Sequence, residues 1–383
     1  MKVLIRGPLL SQSGYGVHSR QVFKWLLSKG YDITCQVLPW GITPWYLNKD
    51  ALDGLIGEIM SRTGQPSGQF DCSFQIQLPD EWDTSLAKKN FGVTAAVETN
   101  FCNPTWVQAC NQMDGVIVPS KFTAGVLRNS GKIIKPLTVI PESFPSAFEK
   151  DLKETKVLKT KSKRNFLLFG QLTAPNSDLD RKNTFNAIKW FCEKFEGRKD
   201  VGLIVKTNMG TNSTIDKRIS TKTLKKLIEK VRPGNFPKVH LLHGHMTDED
   251  LFDLYNDSSL IGLISATRGE GYGLPMIEAA ASGLPVIATD WSGHKTFLQD
   301  GSWIPVKYEL KQVVDQRVDN RIFMARSMWA DPSEESFKNG LQKLYNERNV
   351  YREKCKKSRN KIVDKFSETS LQKEYDKFLE ENL

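Results

Sequence analysis

The segment SATRGEGYGLPMIEAAASGLPVIATDWSG, Ser265–Gly293, sets Glu270 and Glu278 on either side of a glycine-rich turn and a proline. Backbone of this type presents free N–H groups at a helix start, and those groups favour anions. The two glutamates are themselves anionic and only accept hydrogen bonds. One ligand satisfies both features: a diphosphate for the amides and hydroxyls for the carboxylates, that is, a nucleotide-diphosphate sugar. Two plainer readings stay open at this point. Glu278 could stabilise its own helix start, and Glu270 could be a loop residue in water.

Further groups are candidates. Arg181 and Lys182, within DRKN, could neutralise a leaving diphosphate, because cleavage of a sugar–phosphate bond builds negative charge that fixed cations stabilise. Gly14, Tyr15 and Gly16 in SGYG could bring backbone close to a diphosphate or an acceptor, or simply make a tight turn. Ser19 stands where a third glycine would complete G-x-G-x-x-G, which weakens a dinucleotide oxidoreductase. Glu98, at the end of an expected strand, could orient or deprotonate an acceptor hydroxyl. His243 and His245 lack a third ligand, and Asp178 with Asp180 falls in a basic loop, so no metal or other cofactor is expected. His18, one turn into the first helix, could be just a surface histidine.

These groups need a scaffold that delivers them to one edge. Short apolar runs alternate with helix-length segments: Val3–Arg6, Ile33–Leu38, Cys72–Gln77, Gly92–Val97, Gly115–Val118 and Leu137–Ile140. After Lys163 the pattern restarts with Asn165–Phe169, Gly202–Lys206, Val239–Leu242, Leu260–Ile264 and Pro285–Thr289. Strands spaced by helices argue for parallel sheets built of βαβ units. The expectation is α/β with two Rossmann-like, doubly wound domains facing across a cleft, where ligands meet the C-terminal ends of the strands. Residues 1–148 form the first, the lysine-rich stretch 149–163 is a linker, and 164–361 form the second. A terminal helix, about 362–383, packs back on the first. Pro275 suits a first helical position, with the helix over Met276–Ser282 stopped by Gly283.

Composition narrows the class. A chain of 383 residues with 39% hydrophobic and 26% charged residues is ordinary for a two-domain globular protein. No apolar run approaches the roughly 18–20 residues that span a bilayer. Six scattered cysteines without a C-x-x-C pair suggest neither disulfides nor zinc, and a reduced cytoplasm is expected. The net charge of +10 is compatible with solvated lysine runs, with nucleic acid, with an anionic membrane surface or with a polyanionic small molecule.

The glutamate motif, with G-Y-G-L-P between and A-x-G-L-P-V-I-A-T after, resembles the signature of the retaining GT-B glycosyltransferases of family four, glycosyl transferases group one. The resemblance extends to FLLFGQLTAPNSDLDRKN, LIVKTN, VHLLHGHMTDEDLFDLYNDSSLIGLIS and MWADPSEESFKNGLQKLYN, and to SGYGVHSR and ETNFCNPTWVQACNQMDGVIVPSKF in the first half. It implies a donor held mainly by the second domain and an acceptor by the first. By that likeness Glu278 grips ribose hydroxyls and Glu270 lies near the transferred sugar. Gly271, Tyr272, Gly273 and Leu274 meet the diphosphate and sugar, and Gly170, Lys206 and His245 complete the donor side. The family commonly places an arginine directly after the glycine at Gly170. Here Gln171 stands there, and Arg181 and Lys182 are the available replacements. The resemblance implies a metal-independent hexosyl- or pentosyltransferase that retains configuration, with the leaving phosphate oxygen taking the acceptor's proton. The acceptor is a glycan or lipid-linked saccharide at a membrane surface, or a hydroxymethylated base in DNA, to which Trp40, Trp45 and Tyr46 could be relevant. An epimerase of the same fold would give epimerised sugar with no acceptor present. A non-catalytic nucleic-acid-binding protein would not hydrolyse a donor.

Overall fold

The computed structural model describes residues 1–172, 174 and 176–383. The chain divides into two compact units: Met1–Ser143 with Asp319–Ser327 and Glu368–Leu383, and Phe144–Val318 with Met328–Ser367.

Unit 1 contains β1 (Lys2–Gly7), α1 (Gly14–Ser28), β2 (Asp32–Val37), α2 (Leu55–Ser61), β3 (Phe70–Ile76), β4 (Ala87–Val93), α3 (Pro104–Gln112), β5 (Gly115–Val118), α4 (Lys121–Ser130) and β6 (Leu137–Val139). Its six strands are all parallel, in the order β2-β1-β3-β4-β5-β6. Helices cover both faces of such a sheet, and its inner strand β5, GVIV, is accordingly an unbroken apolar run. Unit 2 contains β7 (Arg164–Phe169), α5 (Thr184–Lys194), β8 (Val201–Thr207), α6 (Thr214–Val231), β9 (Lys238–His243), α7 (Asp248–Tyr255), β10 (Leu260–Ser265), α8 (Leu274–Ala281), β11 (Val286–Thr289), α9 (Lys295–Leu298) and β12 (Ile304–Val306). These strands are parallel too, in the order β12-β11-β10-β7-β8-β9. An antiparallel pair, β13 (Tyr308–Gln312) and β14 (Met328–Pro332), follows, then α10 (Glu334–Asn346) and α11 (Arg348–Phe366). The last helix, α12 (Glu368–Asn382), belongs to unit 1. Among the described residues no helix is long and apolar enough to cross a membrane.

Each sheet reverses its strand order once, between β1 and β3 in unit 1 and between β7 and β10 in unit 2. The loops leaving such neighbours diverge and open a crevice at the strands' C-terminal ends. The loop after β7 carries Arg181 and Lys182, and the loop after β10 carries Glu270.

Four expectations need revision. The strand placed at Gly92–Val97 is Ala87–Val93, because the amides of Ala95 and Ala96 bond to the Tyr15 hydroxyl at 3.2 and 3.0 Å instead of continuing a ladder. Residues 149–163 are not a free linker. They lie within unit 2, where Thr155 bridges Asp257 and the Leu158 amide bonds the Asp257 carboxylate at 2.8 Å. The terminal helix is two helices, broken at Ser367 in an extended conformation. Of them α11 stays with unit 2, where Arg359 donates to the carbonyls of Ala281 and Phe148 at 2.7 and 2.8 Å. Finally, β12, β13 and β14 carry no strand expectation, and Asp319–Ser327 between the last two belongs to unit 1.

Candidate active site

The crevice at β7 and β10 gathers Arg181, Lys182 and Glu270. Nζ of Lys182 donates to both carboxylate oxygens of Glu270 at 2.7 and 2.8 Å, a guanidinium nitrogen of Arg181 lies 3.3 Å away, and the Thr267 hydroxyl donates at 2.9 Å. Glu270 is buried. Burial alone would raise its carboxyl, but the Lys182 and Arg181 charges outweigh that and hold it at about 2. It is therefore a fixed anion with hydrogen-bond acceptors only, beside two cations.

Local structure sets this cluster. Asp180 accepts from the amides of Thr184 and Phe185 at 2.6 and 3.4 Å and so caps α5. Asn183 takes a left-handed conformation, φ 52°, which turns the chain from Lys182 into that helix. Gly170 sits where a Cβ would lie 2.5 Å from Thr184, so only glycine lets α5 start so near the end of β7. Arg268, which the sequence reading passes over, ties the pieces together. Its amide bonds the Arg181 carbonyl at 2.8 Å, and its guanidinium reaches the carbonyls of Ser177 and Asp180 and the carboxylate of Asp331 in β14. The signal available was position alone: an arginine two residues before a site glutamate.

Next to this cluster α8 begins. Gly273 adopts φ 112°, Pro275 occupies the first turn, and the helix stops before Gly283 at φ 59°. Gly271 and Tyr272 are buried, Tyr272 with its ring edge-on to Phe297, while Gly273 and Leu274 are half-buried at the helix start. The exit of β11 clasps this loop. Ser292 Oγ accepts from the Glu270 amide at 3.0 Å, and the Gly293 amide donates to the Glu270 carbonyl at 2.9 Å. His294, another residue not anticipated, is fully buried with Nε2 2.7 Å from the Thr289 carbonyl. That carbonyl can only accept, so Nε2 carries the proton.

Glu278 is buried one turn into α8, with Oε2 2.9 Å from the Tyr255 hydroxyl. Burial pushes its carboxyl up to about 8. Lys206, at the end of β8, is also buried. It donates to Asn208 Oδ1 at 2.8 Å and to the Gly244 carbonyl, and burial lowers it to about 8 against the opposing pull of Glu278. His245 lies exposed just beyond β9. Unit 2 thus brings together Glu270, Arg181, Lys182, Gly170 and residues 271–274, with Glu278 on α8 and Lys206 at the end of β8.

Gly14, Tyr15, Gly16 and Glu98 belong to unit 1. Ser13 caps α1 through the Gly16 amide at 3.1 Å, and a Cβ on Gly16 would fall 2.0 Å from the Ser11 carbonyl. The Tyr15 ring stacks on Trp40 at 3.9 Å, and its hydroxyl meets Thr94 at 2.9 Å. Glu98 is half-buried in the loop beyond β4, not at a strand end. The expectation for His18 is corrected. It is buried, with Nε2 3.1 Å from the Tyr375 hydroxyl of α12 and Nδ1 4.0 Å from Glu142.

Burial lowers His18 to about 4 and raises Glu142 to about 8, so at pH 7 the pair is neutral. A carboxyl whose folded value exceeds its unfolded one leaves the fold unpenalised below the unfolded value, and stability drains away as pH rises toward 8. Each tenfold difference in proton affinity is worth about 1.4 kcal/mol. Glu142→Gln is expected to match the parent at pH 4 and to exceed it by a few kcal/mol at pH 8–9. Chemical denaturation at both pH values measures the difference.

Residues 215–361 match the family described as Glycosyl transferases group 1. A 125-residue stretch is 34% identical to the serotype-specific mannosyltransferase WbdA of Escherichia coli, covering 32% of this chain and 14% of that protein. The chain therefore spans only a small part of that relative's length. Among solved structures, a glycosyltransferase from Rickettsia africae ESF-5 aligns with TM-score 0.68 and 13% identity over 99% of this chain and 98% of that one. HepE of Anabaena, solved with UDP and glucose, aligns with TM-score 0.60 and 11% identity over 99% of each. At such identities the likeness is one of fold, and the fold is GT-B.

Proposed function

We propose, from the premise that residues 215–361 belong to the glycosyl transferases group 1, that this protein moves a sugar from a nucleotide-diphosphate donor to an acceptor hydroxyl with retention of configuration. The observation that carries the reading is the ionised Glu270 clamped by Lys182 and Arg181 beside the start of α8. The amides at Gly273 and Leu274 and the two cations take the diphosphate. Glu270 accepts from hydroxyls of the transferred sugar, and Glu278 from the ribose. As the sugar–phosphate bond breaks, its electron pair goes to the diphosphate oxygen, where Lys182 and Arg181 balance the charge without recourse to a metal. That oxygen takes the acceptor's proton as the new glycosidic bond forms.

The local match to a mannosyltransferase supports a hexose as the transferred sugar. A polyanionic acceptor such as DNA would instead show a steep fall in acceptor use as salt rises. The first test is a thermal-shift panel of nucleotide-sugars. A true donor at 100 times its Kd adds about 2.7 kcal/mol of apparent stability. Slow donor hydrolysis in the absence of acceptor is the companion result. A panel that shifts nothing and hydrolyses nothing rules the reading out.

A further inference from the structure

The Tyr255 hydroxyl lies 2.9 Å from the Pro275 carbonyl oxygen and 2.9 Å from Oε2 of Glu278. A phenol has one proton to donate. The ring is wedged, stacked on Phe169 at 5.9 Å and edge-on to Phe148 at 5.6 Å, so the hydroxyl is held between its two neighbours. With Glu278 ionised, one of the two contacts has no hydrogen, and two oxygens face each other with lone pairs only. With Glu278 protonated both contacts are bonds: Tyr255 donates to Pro275, and Glu278 donates to Tyr255. Tyr255 itself keeps its proton, since burial and then the neighbouring Glu278 raise it further.

The surroundings supply one cation, whose pull is smaller than the effect of burial. Lys206 faces Glu278 from the end of β8, but its ammonium is committed to Asn208 and Gly244. Asp248 faces it from the start of α7 and opposes ionisation. Of the other elements against α8, β11 (Val286–Thr289) has no titratable side chain, and α9 contributes Lys295, paired with Asp290 at 2.7 Å. From α11, Arg359 donates to the Ala281 carbonyl and Lys356 lies against Gly283, both at the far end of the helix. Glu149, in the turn before β7, is exposed.

We propose that Glu278 holds a proton in the unliganded protein and gives it up to solvent when the donor's ribose hydroxyls arrive, so that nucleotide binding and proton release are a single event. This rests on the reading of Glu278 as the ribose-binding group. Two hydroxyls then donate to the carboxylate, and Tyr255 turns its hydrogen from Pro275 to Oε2. Burial, which pushes this carboxyl up to about 8, is in accord with the hydrogen-bond count. Nucleotide affinity accordingly rises with pH, approaching tenfold per unit below about 8, and levels off above it.

Two measurements on the full chain test this. The first is infrared difference spectroscopy of the unliganded protein, parent minus Glu278→Gln. Glutamine reproduces the neutral donor–acceptor pattern, and the other protonated carboxyl, Glu142, cancels. A protonated-carboxyl band in the parent that titrates away near pH 8 is expected, and its absence at pH 7 overturns the proposal. The second is calorimetry of uridine diphosphate and three other nucleoside diphosphates at pH 7.5, in buffers of different ionisation heat, with inorganic pyrophosphate as the ribose-free control. Each nucleotide that binds is expected to release about three-quarters of a proton more than pyrophosphate does, the share that a carboxyl at about 8 holds at pH 7.5. Binding with no extra proton overturns the proposal and leaves the functional reading intact. Failure of every diphosphate to bind while the infrared band is present overturns the functional reading instead.

Discussion

Lys182→Met lowers the turnover number for sugar transfer by about 10²–10³-fold, the usual cost of removing one preorganised donor from developing charge. The side chain nearly keeps its length and apolar stem, so packing around the crevice is preserved. Its loss leaves Glu270 with Arg181 and Thr267 as partners. A buried carboxylate deprived of a cation destabilises the fold by up to a few kcal/mol. The double variant Lys182→Met/Glu270→Gln removes that uncompensated charge, and its thermal midpoint is expected to return toward the parent's while turnover stays low. Stability and catalysis thus move independently. Parent-like turnover in the single variant would remove Lys182 from the reaction.

Gly293→Ala is expected to destabilise the protein by about 1–3 kcal/mol, the range for an overpacked site, and to weaken donor binding at least tenfold, about 1.4 kcal/mol. A Cβ on Gly293 would stand 2.0 Å from the Gly271 carbonyl oxygen and 2.8 Å from that of Glu270. Both neighbours are backbone, so neither can rotate aside. The loop must give way, and with it the Glu270 carbonyl that accepts the Gly293 amide at 2.9 Å and the start of α8 beyond. Gly125→Ala is the matched control. It lies within α4 with nothing within 4 Å of the added atom, and gains up to about 1 kcal/mol of helix propensity without affecting binding. Equal donor affinity in the two variants would show that the clasp does not shape the site.

The sequence made legible whatever local chemistry decides. Strands buried on both faces stand out as apolar runs, which is why Gly115–Val118 emerges with the same bounds in sequence and structure. Pro275 and Gly283 mark α8 because each satisfies a backbone requirement that few other residues meet. What was hidden depends on partners far along the chain. His18 reads as a surface residue because its neighbour Tyr375 is 357 positions away. β4 was displaced because a tyrosine hydroxyl, not a strand, satisfies the amides of Ala95 and Ala96. Arg268 shows nothing in its local pattern of the three segments it ties together. The three-residue β12 is too short for any periodicity.

The polypeptide passes between the two units at Ser143, Val318, Ser327 and Ser367. Neither unit can therefore be excised with one cut. A fragment ending at Ser143 would lack α12 and lay bare the apolar surface of Trp25 and Phe91 that Tyr375 and Phe378 cover, with ring centroids at 5.0 and 5.1 Å. A single crossover between relatives would set this surface against a foreign final helix, so a specificity swap should carry the final helix together with the amino-terminal segment it completes.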